Sequence, residues 1–424
     1  MLIGFTCHHF AILENFSLGM CLESLKEEPL SGLDQLVEAG ALGPLNCLAG
    51  RSSTGKSSVF QALHFVAETV TLGANQAGEK LASGSFEELI SFGAKEDEMN
   101  FQLLFYRPRE DDFIQYEISL YARDHEVLVQ SERADLYFYE GGILRQEALL
   151  EIEEGSGTLY SYRFRHLSPS ERSERLEDEA LAAASSEKVE LIDQRQPALS
   201  TYGRMLQHVE ICWLYRQICN WFITRDPFEI NRLPSRIGDG IDRQLNSDFS
   251  NARNVIAYYQ ERAKERGHSD VIAEILKKIP DAKLTGDGNL DRQLTSGNLK
   301  LFLYYLLLED PHSLICIDTP ELGLYHEQIE DLIREMRIML DREPDCQILL
   351  SSHNNILLDN LGADEVFVME RQEKAGEGGE VRARWLGQDR DVRALLEEGI
   401  GLGNLWYSGH LSPTERQWFD DPEH

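Results

Sequence analysis

Residues Gly50 to Ser57, GRSSTGKS, fit the pattern G-x-x-x-x-G-K-[ST], in which a glycine-rich turn presents successive backbone N–H groups to phosphate oxygens. Gly50 and Gly55 let the backbone turn, Lys56 brings a point charge to β and γ oxygens, and Ser57 offers a hydroxyl to Mg²⁺. Ser53, Thr54 and Ser58 complete this cradle. A carboxylate is needed to hold the magnesium shell, and Asp318 provides one directly after the apolar run Leu314 to Ile317. Glu321 follows in the same stretch, and His353 comes at the end of a second apolar run, ILLSSH. Further upstream, LTSGNLK (Leu294 to Lys300) opens an apolar helix whose Ser296-Gly297 pair has free N–H groups suited to a phosphate.

These residues need rigid elements to hold them. Leu45 to Gly50 reads as a strand, and Val59, Leu63, Val66 and Val70 fall on one helical stripe that Gly73 ends, giving strand, loop, helix. Ile114, Tyr116, Ile118 and Leu120 alternate with Gln115, Glu117 and Ser119, the period of a half-buried antiparallel strand. With turn signals at Gly141-Gly142 and at Gly155 to Gly157, residues 97 to 165 read as a β-rich layer. From Ser168 to about Ser200 the charged, Ala/Ser-rich text suits an exposed helix or a mobile excursion. Residues 201 to 223 read as an aromatic-rich helical run, and 251 to 279 as two helices separated by Gly267. The remainder alternates: a helix from Asn298, a strand at 314 to 317, a helix from about Glu327, and strands at 347 to 350 and 366 to 369. The expected organisation is an N-terminal lobe (1–165), a charged insertion with a helical arm (166–290), and a C-terminal lobe (291–424).

A chain of 424 residues has length for two to three folding units, and 42% hydrophobic with 27% charged residues excludes wholesale disorder. The formal net charge of -32 repels polyanions on average, so broad nucleic-acid binding is not favoured. No apolar run approaches the length of a membrane span, and MLIGFTCHHF lacks the layout of a secretory signal, so the expected location is the cytoplasm. The seven cysteines are odd in number and scattered, which argues against a disulfide framework or a zinc knuckle.

Taken in order, the P-loop, LTSGNLK, CIDTPELGLYHEQ, SSHN and the tail LLEEGIGLGNLWYSGHL resemble the stand-alone bacterial branch of ABC-type AAA ATPases, the RecF/SMC and OLD-like group. The resemblance implies an α/β P-loop ABC-type ATPase head with an antiparallel β layer and an inserted helical arm. It implies ATP and Mg²⁺ as cofactors, with Ser296 and Gly297 meeting the γ-phosphate bound on a second copy, and hence a homodimer or higher homo-oligomer formed through the heads. His353 takes the switch-histidine position, and Leu322 to Tyr325 the loop that crosses the dimer interface. OLD-type relatives carry a nuclease domain after the head. Residues 354–424 leave no room for one, so the expected effector, a nuclease or toxin, is a separate polypeptide in a bacterial antiviral defence system. The alternatives are a DNA-repair or chromosome-maintenance ATPase and a scaffold that binds ATP without cleaving it.

The sequence departs from the family at one telling position. Related chains carry a second carboxylate after the magnesium aspartate to orient the attacking water, whereas here Asp318 is followed by Thr319. Either Glu321 takes over as base through a water, or turnover is very slow, because a positioned base contributes about 10²–10⁴-fold to rate. Asn298 replaces a common threonine, a smaller change. Basic residues between 201 and 290, among them Arg204, Arg216, Arg225 and Lys278, are interleaved with acidic ones, so DNA contact is allowed but not favoured.

Overall fold

The computed structural model describes residues 1–81, 89–90, 98–123, 126–160, 186–224, 242–265, 269–279, 294–374 and 377–411. The described chain divides into two compact units, each assembled from separated stretches of sequence.

The first unit comprises Met1–Gly43, Gln61–Trp221 and Arg371–Ala383. It opens with β1 (Leu2–Phe10), β2 (Leu13–Gly19), α1 (Leu22–Glu27) and α2 (Leu33–Glu38). Strand β3 (Leu45–Ala49) then leaves for the second unit, and helix α3 (Lys56–Leu72) returns the chain to α4 (Ala74–Leu81). Next come β4 (Glu98–Arg107), β5 (Asp112–Arg123), β6 (Glu126–Glu140), β7 (Ile143–Glu153), β8 (Ser156–Tyr160) and β9 (Ser186–Glu190). Together they form an eight-stranded sheet in the order β2-β1-β4-β5-β6-β7-β8-β9.

The expected alternation in β5 holds for Tyr116, Ile118 and Leu120, which are buried, while Gln115 and Glu117 are half-buried. Gly141, Gly142 and Gly155 all have positive φ, the left-handed backbone that tight hairpins require. Phe65 of α3 meets Phe10 and Phe101 with ring centroids 5.8 Å away in each case, so the second half of that helix is anchored by an aromatic cluster. Helices α5 (Ala198–Tyr202) and α6 (Val209–Cys219) complete this unit.

The sequence reading and the structure differ in three places. The strands β1 and β2 carry no clear sequence signal. Residues 186–190, placed in the charged excursion, instead pair antiparallel with β8 from Ser156↔Glu190 to Tyr160↔Ser186, while the body of that excursion lies outside the described residues. The helical run expected through 223 stops at Cys219, and Trp221–Ile223 form the short strand β10. Periodicity alone does not separate three apolar residues of a strand from another helical turn.

The second unit comprises Pro44–Phe60, Phe222–Glu370 and Arg384–His424. After β10 it contains α7 (Ala252–Arg262), α8 (Val271–Lys278), α9 (Ser296–Leu308), β11 (Leu314–Asp318), α10 (His326–Arg342), β12 (Ile348–Ser352) and α11 (Asn355–Asp359). Strand β13 (Val366–Lys374) begins in this unit and β14 (Glu377–Trp385) ends in it, the stretch Arg371–Ala383 belonging to the first unit, and α12 (Arg390–Glu397) and α13 (Leu402–Tyr407) follow. The sheet order is β10-β11-β12-β3-β13-β14, with β11, β12, β3 and β13 paired in parallel.

Every residue of β3, β11 and β12 is buried, as expected of parallel strands covered on both faces. Helix α9 is buried from Leu299 through Leu308, which its nearly unbroken apolar sequence requires. Helix α10 instead buries one stripe, Ile329, Leu332, Ile333, Met336, Met339 and Leu340. Inserted ahead of α9, helices α7 and α8 contribute Val255, Ile256, Ile272 and Ile275 to this same core.

The sheet of the second unit joins β3, from early in the chain, to strands more than 260 residues later. No helix among the described residues is long and apolar enough to cross a membrane.

Candidate functional site

The strand β3 ends at Ala49, and the chain turns through Gly50–Gly55 into α3. Ser53 and Gly55 both have positive φ, 65° and 96°, so the turn alternates in hand and points consecutive N–H groups inward. A Cβ on Gly50 would stand 2.6 Å from Thr54 Oγ1, so only glycine fits there. Lys56 folds back over the loop, its Nζ donating to the carbonyls of Gly50 (2.6 Å) and Arg51 (2.7 Å). Burial lowers the Lys56 pKa, and the Asp318 carboxylate opposes that shift.

Asp318 ends β11, two strands away from β3, and β12 lies between them. Ser351 of β12 stands opposite Asp318 and Ser352 opposite Ala49, so two small polar residues separate the two strand ends. Ser57 Oγ donates to Asp318 Oδ2 at 2.7 Å, and Ser351 Oγ donates to Asp318 Oδ1. The Asp318 N–H donates to Thr224 Oγ1 at 3.1 Å. A hydroxyl and a carboxylate converging at the head of a helix are hard oxygen donors, the set that Mg²⁺ accepts.

Thr319 occupies the left-handed region at φ 46°, a conformation that costs a β-branched residue about 1–3 kcal/mol. Its N–H donates to the Ser351 carbonyl (3.1 Å) and hydroxyl (3.2 Å). Its own hydroxyl is buried without a hydrogen-bond partner among the described residues.

Glu321 is 6% exposed and accepts a 2.7 Å hydrogen bond at Oε1 from Ser352 Oγ. Its Oε2 is buried and has no hydrogen-bond partner among the described residues. Burial pushes the Glu321 carboxyl above its usual range, while Ser352 and the neighbouring His353 pull the other way. Thr319 Oγ1 and Glu321 Oε2 are thus two buried oxygens of one turn that have no partner among the described residues.

Of the residues singled out in the sequence, Lys56 is hydrogen-bonded to the Gly50 and Arg51 carbonyls and Ser57 to Asp318, while Glu321 is held by Ser352. His353 lies exposed just after β12, with its carbonyl held by Trp406 Nε1 at 3.0 Å. Ser296 and Gly297 lie elsewhere. Thr295 caps α9 through Asn298 N (3.3 Å), Ser296 is exposed, and Gly297 sits where a Cβ would be 2.7 Å from the Gly323 carbonyl. Lys300 Nζ donates to Leu322 O at 2.7 Å, and Gln328 bridges Asn298 Oδ1 (2.6 Å) and Tyr325 N (3.0 Å). The start of α9 is therefore tied to the 322–325 loop, whose Leu322 and Tyr325 side chains are exposed. Sequence reasoning missed Thr224, Ser351, Ser352 and Trp406. The two serines before His353 were visible as text, but only the strand order gives them a partner.

The fold is mixed α/β, and a G-x-x-x-x-G-K-S loop between the buried parallel strand β3 and helix α3, with Asp318 at the end of β11, has the layout of a P-loop nucleotide-binding site. The model of a family described as "AAA domain, putative AbiEii toxin, Type IV TA system" matches residues 209–359, a stretch that carries Asp318 and His353 but not the P-loop. Among solved structures the chain is similar to an SMC head bound to the C-winged helix domain of ScpA, with 11% identity, 92% of this chain and 99% of that one covered, and a TM-score of 0.44. It is also similar to the SMC head domain from Thermotoga maritima (10% identity, 90% and 97% covered, TM-score 0.38). A third similar structure is the SMC head with an extended coiled coil bound to the C-terminal domain of ScpA from Pyrococcus furiosus (10% identity, 93% and 99% covered, TM-score 0.40). No curated protein sequence matches at a significant level.

Proposed function

We propose that this chain binds ATP with Mg²⁺, hydrolyses it slowly to ADP and phosphate, and uses the nucleotide to close two heads upon one another. Supporting this reading above all is the convergence of Lys56, Ser57 and Asp318 at the ends of β3 and β11, on either side of β12. Lys56 would exchange its loop carbonyls for phosphate oxygens, and Ser57 with Asp318 would hold Mg²⁺, which would supply charge neutralisation to the phosphates. Glu321 accepts the proton of the attacking water at Oε2, with Oε1 held by Ser352. The exposed Ser296-Gly297 start of α9 serves the γ-phosphate of a second copy, which couples nucleotide binding to dimerisation.

Closure of the dimer then controls a separate effector, a nuclease or toxin, in bacterial antiviral defence. The toxin–antitoxin wording of the matching family supports that context. The test is phosphate release by purified protein against a Lys56→Ala control. Turnover equal to the control removes the enzymatic reading and leaves an ATP-bound clamp, the second reading, which Thr319 in place of a carboxylate favours.

A direct DNA-repair role has weaker support. Arg204 stacks over Tyr215 at 5.5 Å and Lys278 pairs with Glu335 at 2.6 Å, so both cations are already engaged. DNA affinity measured at two salt concentrations decides this, since phosphate contacts impose a steep salt slope.

A further inference from the structure

The tail IGLGNLW has no part in the cradle, yet it is built against the segment that carries His353. Asn354 caps α11, accepting from Ile356 N (2.9 Å) and Leu357 N (3.2 Å), and its own N–H donates to Ser352 Oγ at 2.9 Å. His353 is thus one link between β12 and α11, directly beside the serine that holds Glu321. Helix α13 docks on this link in three ways. Trp406 Nε1 donates to the His353 carbonyl at 3.0 Å. Gly403 N donates to Asp359 Oδ1 at 2.7 Å. Gly403 also packs so closely that a Cβ would stand 2.0 Å from the Asn355 carbonyl oxygen, and a Cβ on Gly401 would stand 2.2 Å from Asp359 Oδ1. Two glycines in three residues therefore have a single purpose, the close approach of α13 to α11.

We propose that Trp406 is a positioning residue for the His353 segment: by donating to the His353 carbonyl, it fixes the backbone that carries the imidazole beside Ser352 and Glu321. The proposal rests on the ATP reading above. An imidazole on an exposed turn has several rotamers, and the peptide that follows it is held on its N–H side by Ser352 Oγ and on its carbonyl side by Trp406. A bond from a rigid indole in a docked helix removes the peptide's freedom without touching the nucleotide.

Trp406→Phe keeps the ring and removes the donor. Its kcat for phosphate release from Mg·ATP falls about tenfold, the size of a lost supporting hydrogen bond, with KM and Tm unchanged. In a His353→Ala background Trp406→Phe lowers kcat no further, and Gly403→Ala, which separates the helices, reproduces the kcat loss. An unchanged kcat in Trp406→Phe, a loss additive with His353→Ala, or a parallel fall in Tm overturns the proposal.

A second readout does not depend on turnover. A non-cleavable ATP mimic with Mg²⁺ shifts tryptophan emission in the wild type, and Trp406→Phe and His353→Ala each abolish that shift. Unchanged emission in a wild type that binds the mimic overturns this proposal alone. A wild type that binds no nucleotide overturns the ATP reading, and this proposal with it.

Discussion

Ser352 Oγ stands 2.7 Å from Glu321 Oε1, and the other carboxylate oxygen is buried with no hydrogen-bond partner among the described residues. The carboxylate is held at one oxygen, and the buried second oxygen is the one to which the proposed base role assigns the proton of the attacking water. Glu321→Gln keeps the Ser352 contact and removes the basic oxygen, so kcat falls about 10²–10⁴-fold while nucleotide affinity is retained. Because burial raises the Glu321 pKa, ionisation and activity rise with pH through a value above the ordinary glutamate range. A pH–rate profile of the wild type shows that acid limb. A Glu321→Gln enzyme as fast as wild type removes Glu321 from the chemistry.

Ser57 and Asp318 share a 2.7 Å hydrogen bond although 261 positions separate them. Replacing either weakens Mg²⁺-dependent nucleotide binding by roughly 10–100-fold, whereas binding measured in EDTA changes little. Titration calorimetry of Ser57→Ala and Asp318→Asn with and without Mg²⁺ checks the split. Equal losses in both conditions point to local unfolding instead.

Ser296 is exposed at the start of α9, and the neighbouring Tyr325 is 74% exposed. A bulky cation there blocks a second copy without reaching its own P-loop. Ser296→Arg retains nucleotide affinity and loses the ATP-dependent dimer, read by light scattering at several protein concentrations. A dimer that persists in this variant assigns the interface elsewhere.

Glu132 is fully buried beneath α5, accepting from the N–H groups of Ala198 and of Leu199 (2.9 Å) and from Tyr116 Oη (2.9 Å). Burial pushes its carboxyl up to about 7, from an ordinary value of 4.5. Between those two values the folded state holds a proton that the unfolded state has released. Stability is therefore full at and below pH 4.5 and declines as pH rises toward 7, by up to about 3 kcal/mol. Denaturant titrations at pH 5 and pH 7.5 show this decline in the wild type, and Glu132→Gln removes it.

The sequence by itself determined the local chemistry: a P-loop between a strand and a helix, an aspartate closing a buried strand, a capped signature helix and the alternation of β5. Each of these depends on neighbours a few residues apart, so spacing and residue type suffice. Only the tertiary structure decided that β12 runs between β3 and β11. That order puts Ser351 on Asp318 and Ser352 on Glu321, and it gives β10 an edge from which Thr224 reaches Asp318. It also gave the glycines of the tail their reason, in a backbone approach between α13 and α11. Pairing between parallel strands and contact between docked helices join residues tens to hundreds of positions apart, and no local periodicity records which partner each will meet.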